Sequence, residues 1–95
     1  MNVVVIEDEQ AASRRLIRML EKQDLIVLAS LSSVETAIEW FKNNSHPELI
    51  FLDIQLSDGL SFSIFESVHI NSAIIFTTAF DAYALQAFKL NSIDY

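Results

Sequence analysis

Cysteine is absent from this chain of 95 residues, and glycine and proline occur once each. Without cysteine the chain can form neither disulfides nor zinc–thiolate sites, and it has no thiol nucleophile. The absence is consistent with a reducing compartment, and we expect a cytoplasmic location. Gly59 and Pro47 each stand between predicted elements, so neither interrupts a helix or a strand.

Basic residues are also scarce, since six stand against 13 acidic residues and the net charge is −7. Such a chain has no broad basic surface with which to bind nucleic acid. Apolar stretches are too short for a membrane span, which needs roughly 18 to 20 residues. The N-terminus lacks the basic segment of a signal peptide, so we interpret it as structure and expect no membrane partner.

Apolar side chains, by contrast, are abundant, at 52% of residues with a mean hydropathy of +0.33. Disordered chains are poor in Val, Ile, Leu and Phe, so this composition predicts a folded protein. Ninety-five residues are enough for one small domain and too few for two. We therefore assign residues 1–95 to a single domain.

Short apolar runs recur along the chain at nearly constant spacing. They are Val3–Ile6, Leu25–Leu31, Leu49–Leu52 and Ala73–Phe76, and their starts are 22, 24 and 24 residues apart. Because the runs are continuous and not alternating, they are typical of parallel strands that are buried on both faces.

Each apolar run is followed by apolar residues at helical spacing. These are Ala12, Leu16, Met19 and Leu20; then Val34, Ala37, Ile38 and Phe41; then Leu60, Ile64 and Val68; and finally Ala84, Leu85 and Phe88. Repeated strand–helix units predict an α/β fold with a doubly wound parallel sheet.

The spacing of these units also predicts the order of the strands. Asp8 and Asp53 are 45 residues apart, about two units, whereas Asp53 and Thr78 are 25 residues apart, one unit. Right-handed crossovers then place the third strand between the first and the fourth, with the second strand on the far side of the first. The functional crevice of such a sheet lies at the carboxyl ends of its strands. We therefore expect Glu7, Asp8, Asp53 and Thr78 to converge at one edge.

The carboxylates of Glu7, Asp8 and Asp53 would repel one another at this edge. A like-charged pair 4 Å apart costs about 4 kcal/mol at an effective dielectric constant of 20. The repulsion is relieved if one acid stays protonated, or if a hard divalent cation lies between the acids. Mg²⁺ suits such oxygen ligands. With a hydroxyl group nearby the site would serve phosphoryl transfer, in which an aspartate can itself be the nucleophile.

The same residues allow other interpretations. An acid at a strand end is usually only solvated, and the positive end of the following helix also favours acids. An aspartate nucleophile at a strand end occurs in phosphatases of the haloacid-dehalogenase type as well. That class needs a second Asp two residues further on as general acid, and this chain has Gln55 there.

Three segments resemble the receiver domain of bacterial two-component response regulators: residues 3–9 (VVVIEDE), 50–53 (IFLD) and 74–79 (IIFTTA). Residues 76–88 (FTTAFDAYALQAF) resemble the receivers of LytTR-type (LytR/AlgR-type) transcription regulators. The resemblance implies a flavodoxin-like fold with strand order 2-1-3-4-5, a signalling role without enzymatic turnover, and a sensor histidine kinase as phosphodonor. It implies contact with DNA only through a C-terminal output domain outside this chain.

The resemblance also implies roles for individual residues. Asp53 would accept the phosphoryl group. Asp8 and Asp53 would bind Mg²⁺ together with the backbone carbonyl of Gln55, and Glu7 would bind the ion directly or through water. A pseudo-receiver that binds partners without taking phosphate is the alternative within the family.

Further implied roles fall near the end of the chain. Thr78 matches the switch hydroxyl that bonds the phosphoryl oxygen, and Tyr95 matches the switch aromatic residue that rotates inward with it. The fifth strand only begins at residues 93–95, so we expect an incomplete receiver without most of its fifth strand and its fifth helix. The strand at residues 73–76 would then be an open edge and one face of the sheet would lose its cover, so we expect the chain to self-associate.

Overall fold

The computed structural model describes residues 1–77 and 93–94. Within them the elements are β1 (Asn2–Ile6), α1 (Gln10–Lys22), β2 (Ile26–Leu31), α2 (Val34–Asn43), β3 (Leu49–Leu52), β4 (Gln55–Leu56), β5 (Gly59–Leu60), α3 (Phe62–Ser67), β6 (Ala73–Phe76) and β7 (Ile93–Asp94). The four predicted strands agree with β1, β2, β3 and β6 to within one residue at each end. The predicted fourth helix lies outside the described residues. Among the described helices, none has the length and apolar character that a membrane crossing requires.

The main sheet is parallel and has the strand order β2-β1-β3-β6-β7. If β6 and β7 are counted as the fourth and fifth strands of this sheet, the order is the predicted 2-1-3-4-5. β7 pairs Ile93 with Ile74 and Asp94 with Ile75. β6 is therefore not an open edge over these residues, and that part of the sequence prediction is wrong.

The core lies on both faces of the sheet. Val4 and Ile6 of β1 are at most 1% exposed and belong to the layer that includes α2 and α3. Val3 and Val5 point to the opposite face and pack with Leu20 of α1. Successive side chains of a strand point to opposite faces, so β1 contributes to both layers. Burial of each such aliphatic side chain stabilises the fold by about 1.5–3 kcal/mol.

β2 differs from the strand buried on both faces that the sequence predicted. Its side chains Ile26 and Leu28 are 62% and 45% exposed. Among the strands that the structure describes, β2 pairs with β1 alone and is an edge strand, so one side of it has no neighbouring strand. Consecutive residues of β1 pair with Val27 and Ala29, and the intervening Leu28 has no partner. The edge position leaves one side of the strand without a neighbouring strand, and the bulge interrupts the regular alternation of its side chains.

The buried stripe of α1 includes Ser13 in place of the predicted Met19. Met19 is 63% exposed and Ser13 only 3%. Ser13 shares the inward stripe with Leu16, Ile17 and Leu20, at the spacing i, i+3, i+4, i+7. Its hydroxyl lies 2.8 Å from that of Ser30 in β2, and the two share a hydrogen bond. The buried hydroxyl of Ser13 therefore has a hydrogen-bond partner. Apolar periodicity could not predict the burial of Ser13, because serine is a polar residue.

The segment after β3 departs most from the sequence prediction. β4 and β5 form an antiparallel hairpin before α3 begins. Leu60, expected on the helix, lies in β5 and is 40% exposed, and Val68 is extended beyond the helix end. Only Ile64 of the predicted stripe lies in α3 and is buried. Gly59 has a φ of +141°, a conformation that favours glycine and permits the tight turn.

The N-terminus of α2 is capped by two separate segments of the chain. The Ser33 hydroxyl accepts the N–H of Thr36 at 3.1 Å, and the Thr36 hydroxyl accepts the N–H of Ser33 at 3.2 Å. Asp58, in the turn between β4 and β5, accepts the N–H groups of Val34 at 2.8 Å and Glu35 at 3.1 Å. The four N–H groups that have no partner within the helix are therefore all satisfied.

These caps predict a pH-dependent contribution of Asp58 to stability. The hydrogen bond from the Val34 N–H, and next that from Glu35, hold the pKa of Asp58 below its ordinary value. A lowered pKa adds stability above the ordinary value of about 3.9, and this stability is lost as the pH falls through the folded-state pKa. We expect Asp58→Asn to lower the free energy of unfolding at pH 7 by about 0.5–1 kcal/mol, measured by urea denaturation.

The difference between wild type and Asp58→Asn should shrink as the pH falls below about 3.9. Glu21→Gln makes the same change of charge at an exposed position of α1 and should stay within about 0.5 kcal/mol of wild type. An Asp58→Asn effect that is equally large at pH 7 and in acid would contradict the assignment.

Candidate functional site

Three carboxylates meet at the carboxyl edge of the main sheet. Glu7 and Asp8 follow β1, and Asp53 follows β3. One carboxylate oxygen of each residue lies within 4.8 Å of the others. Glu7 and Asp53 are half-buried. The three acids therefore converge as their spacing along the chain predicted, whereas Thr78, expected beside them, lies outside the described residues.

Backbone hydrogen bonds hold these strand ends in place one residue beyond the sheet. The N–H groups of Glu7, Asp53 and Thr77 donate to the last carbonyl of β2, β1 and β3, at 2.9, 3.0 and 3.0 Å respectively. The parallel ladder thus continues through the first residue after each strand. Because the backbone N–H groups of Glu7 and Asp53 are bonded to neighbouring strands, the sheet fixes the backbone positions from which these two side chains extend.

Each of these two carboxylates also accepts a backbone N–H from its own loop. Glu7 Oε2 accepts the N–H of Glu9 at 3.0 Å, and Asp53 Oδ1 accepts the N–H of Gln55 at 3.4 Å. Short local bonds of this type shape the loops after β1 and β3. An ionised carboxylate offers about four lone-pair sites, so one accepted bond leaves capacity for a cation.

The electrostatic environment of Glu7 is unfavourable for its charge. Burial raises the pKa of the Glu7 carboxyl, the N–H of Glu9 opposes this, and the charges of Asp53 and Asp8 raise the pKa further. The net pKa of Glu7 lies above the ordinary value. At 4.8 Å a like-charged pair costs about 3.5 kcal/mol at an effective dielectric constant of 20, so the cluster would be stabilised by a positive ion.

The donor set fits a hard divalent cation. It consists of carboxylate oxygens, which Mg²⁺ and Ca²⁺ prefer, and Mg²⁺ is typically bound through one or two carboxylates with other oxygen ligands. Gln55 lies in β4, two residues beyond Asp53, and its exposed position next to the cluster is compatible with a carbonyl ligand. Tyr95, like Thr78, lies outside the described residues. Asp58 was not among the predicted site residues, although the Asp-Gly pair that it forms with Gly59 favours a turn.

The chain belongs to the response regulator receiver domain family, whose profile matches residues 3–95. Domains of this family are signalling modules that sensor histidine kinases phosphorylate and that bind Mg²⁺ through acidic residues. The fold and the acidic cluster agree with this membership, and the haloacid-dehalogenase alternative is not favoured by it.

Several of the relatives that the chain matches are sensory transduction proteins named LytT. The chain is 38% identical over 99 residues to the sensory transduction protein LytT of Bacillus anthracis, and 31% identical over 99 residues to LytT of Bacillus subtilis. All of this chain is matched in both cases, but only 40% and 41% of those proteins. The chain therefore spans about two fifths of the length of these relatives.

Solved structures show the same fold. The response regulatory domain of mrkE from Klebsiella pneumoniae is 27% identical, with a TM-score of 0.73 over 98% of this chain and 81% of that chain. A CheY-like receiver domain from Methylobacillus flagellatus is 16% identical, with a TM-score of 0.76 over 99% of this chain and 86% of that chain. The predicted flavodoxin-like, doubly wound architecture is thereby confirmed.

The raised pKa of Glu7 predicts that Glu7→Gln stabilises the protein when divalent cations are chelated. A raised pKa penalises the folded state above the ordinary Glu value of about 4.3, and the penalty is complete above the folded-state pKa. We expect a gain of up to about 1 kcal/mol at pH 7, limited because the carboxyl is partly exposed, in urea denaturation with a chelator present.

The gain from Glu7→Gln should disappear below about pH 4, where Glu7 is protonated in both the folded and the unfolded state. Glu9→Gln, a neighbouring exposed acid outside the cluster, serves as the control and should change the free energy of unfolding by less than about 0.5 kcal/mol. A Glu7→Gln protein less stable than wild type at pH 7 would show that neither burial of the Glu7 charge nor its repulsion by Asp53 and Asp8 dominates at this position.

Proposed function

We propose that this chain is the phosphoryl-accepting domain of a LytTR-type response regulator and that Asp53 is the acceptor. The observation that carries the proposal is the convergence of Glu7, Asp8 and Asp53 within 4.8 Å at the carboxyl edge of the sheet. Asp53 directly follows β3, the middle strand of the five, and its backbone N–H donates to the Ile6 carbonyl of β1. A nucleophile held in this way needs little reorganisation before it reacts.

The transfer forms one bond and breaks one. A carboxylate oxygen of Asp53 attacks the phosphorus of a phosphohistidine on the kinase, the new oxygen–phosphorus bond forms, and the phosphorus–nitrogen bond breaks. The electron pair of the broken bond stays on the imidazole nitrogen, which then takes up a proton. Phosphoryl transfer of this kind depends mainly on positioning and on neutralising charge.

The neighbouring acids require a cation for this reaction, because their charge repels the phosphoryl oxygens. Glu7, Asp8 and Asp53, with the backbone carbonyl of Gln55, would hold Mg²⁺, which would offset the negative charge of the acids and of the phosphoryl group. Without it, Glu7 and Asp8 would oppose the approach of an anionic donor to Asp53.

The remaining parts of the proposal concern signal output. Thr78 and Tyr95 are proposed to respond to phosphorylation, as the resemblance to the family implied. Relatives named LytT are more than twice as long as this chain. We propose that the whole protein contacts DNA through a LytTR-type output domain that is not part of this chain. A sensor histidine kinase as partner and a cytoplasmic location are parts of the same proposal.

Substitution of the acceptor should abolish phosphorylation. With a small acyl phosphate or phosphoramidate as donor and with Mg²⁺, we expect intact-mass spectrometry to show one added phosphoryl group on wild type and none on Asp53→Asn. A chelator should also prevent the labelling of wild type. Asp24→Asn, an exposed acid between α1 and β2, is the matched control and should be labelled like wild type.

Two outcomes would count against phosphorylation of Asp53. Label that persists in Asp53→Asn would assign the acceptor to another residue. Binding of Mg²⁺ by wild type with no label from any donor would favour the pseudo-receiver that binds without taking phosphate.

Self-association is proposed on one of its two predicted grounds, the incompletely covered sheet face, since β7 pairs with β6 where an open edge was expected. On the α1 side of the sheet, Leu49, Phe51 and Ile75 are only half-buried, whereas the alternate residues of β3 and β6 on the other face are buried. Phe51 and Ile75 are paired in register, so their side chains form one apolar surface. Partly covered apolar surface of this kind favours contact between chains.

Self-association predicts a mass that rises with concentration. By light scattering at about 10–100 μM, a range in which exposed apolar surface drives association, we expect a species larger than the monomer. Ile75→Thr should weaken the association because it reduces the apolar surface, whereas Leu28→Thr on the β2 edge should not. A monomer throughout this range would contradict the proposal.

A further inference from the structure

We propose that Asp58 is a positioning residue for the phosphoryl-accepting site, because its carboxylate ties the tip of the β4–β5 hairpin to the first turn of α2. We name this pair of hydrogen bonds the Asp58 clamp: Asp58 Oδ1 accepts the Val34 N–H at 2.8 Å, and Oδ2 accepts the Glu35 N–H at 3.1 Å. Its effect on chemistry rests on the proposed phosphorylation of Asp53, whereas the clamp itself is a feature of the fold.

The base of the hairpin is held by the core and by local bonds. Ile54 and Ser61, at the base, are fully buried, and Leu56, which forms the last pair before the turn, is 2% exposed. The N–H and the hydroxyl of Ser61 both donate to the carbonyl of Ile54, at 2.8 and 3.1 Å. These contacts close the base of the hairpin eight residues after Asp53.

The tip of the hairpin is different, since Ser57 and Asp58 are both exposed. The two strands pair at only two positions, Gln55 with Leu60 and Leu56 with Gly59. A two-stranded hairpin of this length is marginally stable by itself. The clamp therefore supplies a restraint that the hairpin ladder lacks.

The other end of the clamp is a rigid element. α2 is anchored in the core by Val34, Ala37 and Phe41, which are 8%, 0% and 2% exposed. The carboxylate faces the positive end of this helix, which favours a negative charge there. Asp58 thus connects a short exposed turn to a helix that is packed into the core.

Gln55 is the link between the clamp and the site. It lies in β4, its N–H donates to Asp53 Oδ1 at 3.4 Å, and its carbonyl is the proposed backbone ligand of Mg²⁺. The hairpin tip is one pair of residues beyond it. If the tip is released, the Gln55 backbone can move relative to Asp53, and small displacements at a reacting centre have large effects on rate.

Hydrogen exchange on the intact protein tests the clamp directly. In Asp58→Ala the amides of residues 55–61 should exchange about fivefold faster or more, because the tip is free to open. Asp58→Asn retains one acceptor oxygen and should restore part of the protection. Ser33→Ala is the matched control: it removes the local cap of the same helix, so exchange should rise in the first turn of α2 and not in residues 55–61.

Labelling with a small acyl phosphate and Mg²⁺ tests the consequence for the site. Under conditions where all variants are folded, Asp58→Ala should be labelled about three- to tenfold more slowly than wild type, with partial recovery in Asp58→Asn. Ser33→Ala should stay within about twofold of wild type. A role limited to stabilising α2 would instead affect Ser33→Ala and Asp58→Ala alike.

The outcomes separate this proposal from the proposed function. If wild type takes no label, phosphorylation of Asp53 fails, and the exchange of residues 55–61 still decides whether the clamp exists. If wild type is labelled and Asp58→Ala is labelled equally fast, Asp58 does not position the site. Unchanged exchange of residues 55–61 in Asp58→Ala would overturn the clamp itself.

Discussion

The parallel pairing of β1 with β3 is the contact on which both the core and the site depend. The two strands pair residue by residue from Val3 with Leu49 to Ile6 with Leu52, without a shift. The next rung is the hydrogen bond from the Asp53 N–H to the Ile6 carbonyl, at 3.0 Å. Because parallel strands end at the same edge, this register brings the acids after β1 beside the acid after β3. A shift by one residue would separate the acids and reverse the faces of the buried side chains.

The core and the acidic site have opposite effects on stability. The side chains of β1 and β3 that face α2 and α3 are almost completely buried, which stabilises the fold. Three carboxylates held within 4.8 Å of one another destabilise it, and the pKa of Glu7 is raised first by burial and further by the charges of Asp53 and Asp8. Local conflicts of this type are typical of functional sites, where the surrounding structure holds groups that would otherwise separate. Here the hydrogen-bonded ladder beyond the strand ends provides that support.

The two loops that carry the acids are anchored in different ways. The loop after β1 leads into α1, whose N-cap Glu9 makes no side-chain hydrogen bond to the helix. The loop after β3 is longer, folds into the β4–β5 hairpin, and reaches across to cap α2 through Asp58. The β3 loop therefore joins Asp53 to a second helix of the core. It follows that the position of the backbone next to Asp53 depends on α2 as well as on the sheet.

Much of the fold could be predicted from the sequence because it depends on local patterns and on chain length between units. Apolar runs at a spacing of 22 to 24 residues, each followed by helical periodicity, predict parallel strands with crossovers in between. The strand order follows from this, and so does the meeting of Glu7, Asp8 and Asp53 at one edge. These features need no knowledge of any particular side-chain contact.

Other features were decided only by tertiary contacts between residues distant in the chain. Ser13 is buried because Ser30 of β2 satisfies its hydroxyl, and β2 is exposed because it is an edge strand with a bulge. Asp58 caps α2 from a position 23 and 24 residues further along the chain. The sequence by itself thus determined the sheet and the acidic cluster, since hydrophobic periodicity and crossover length act locally. The tertiary structure decided which polar groups are buried and where the loop after Asp53 is held, since hydrogen-bond partners are found only when the chain is folded.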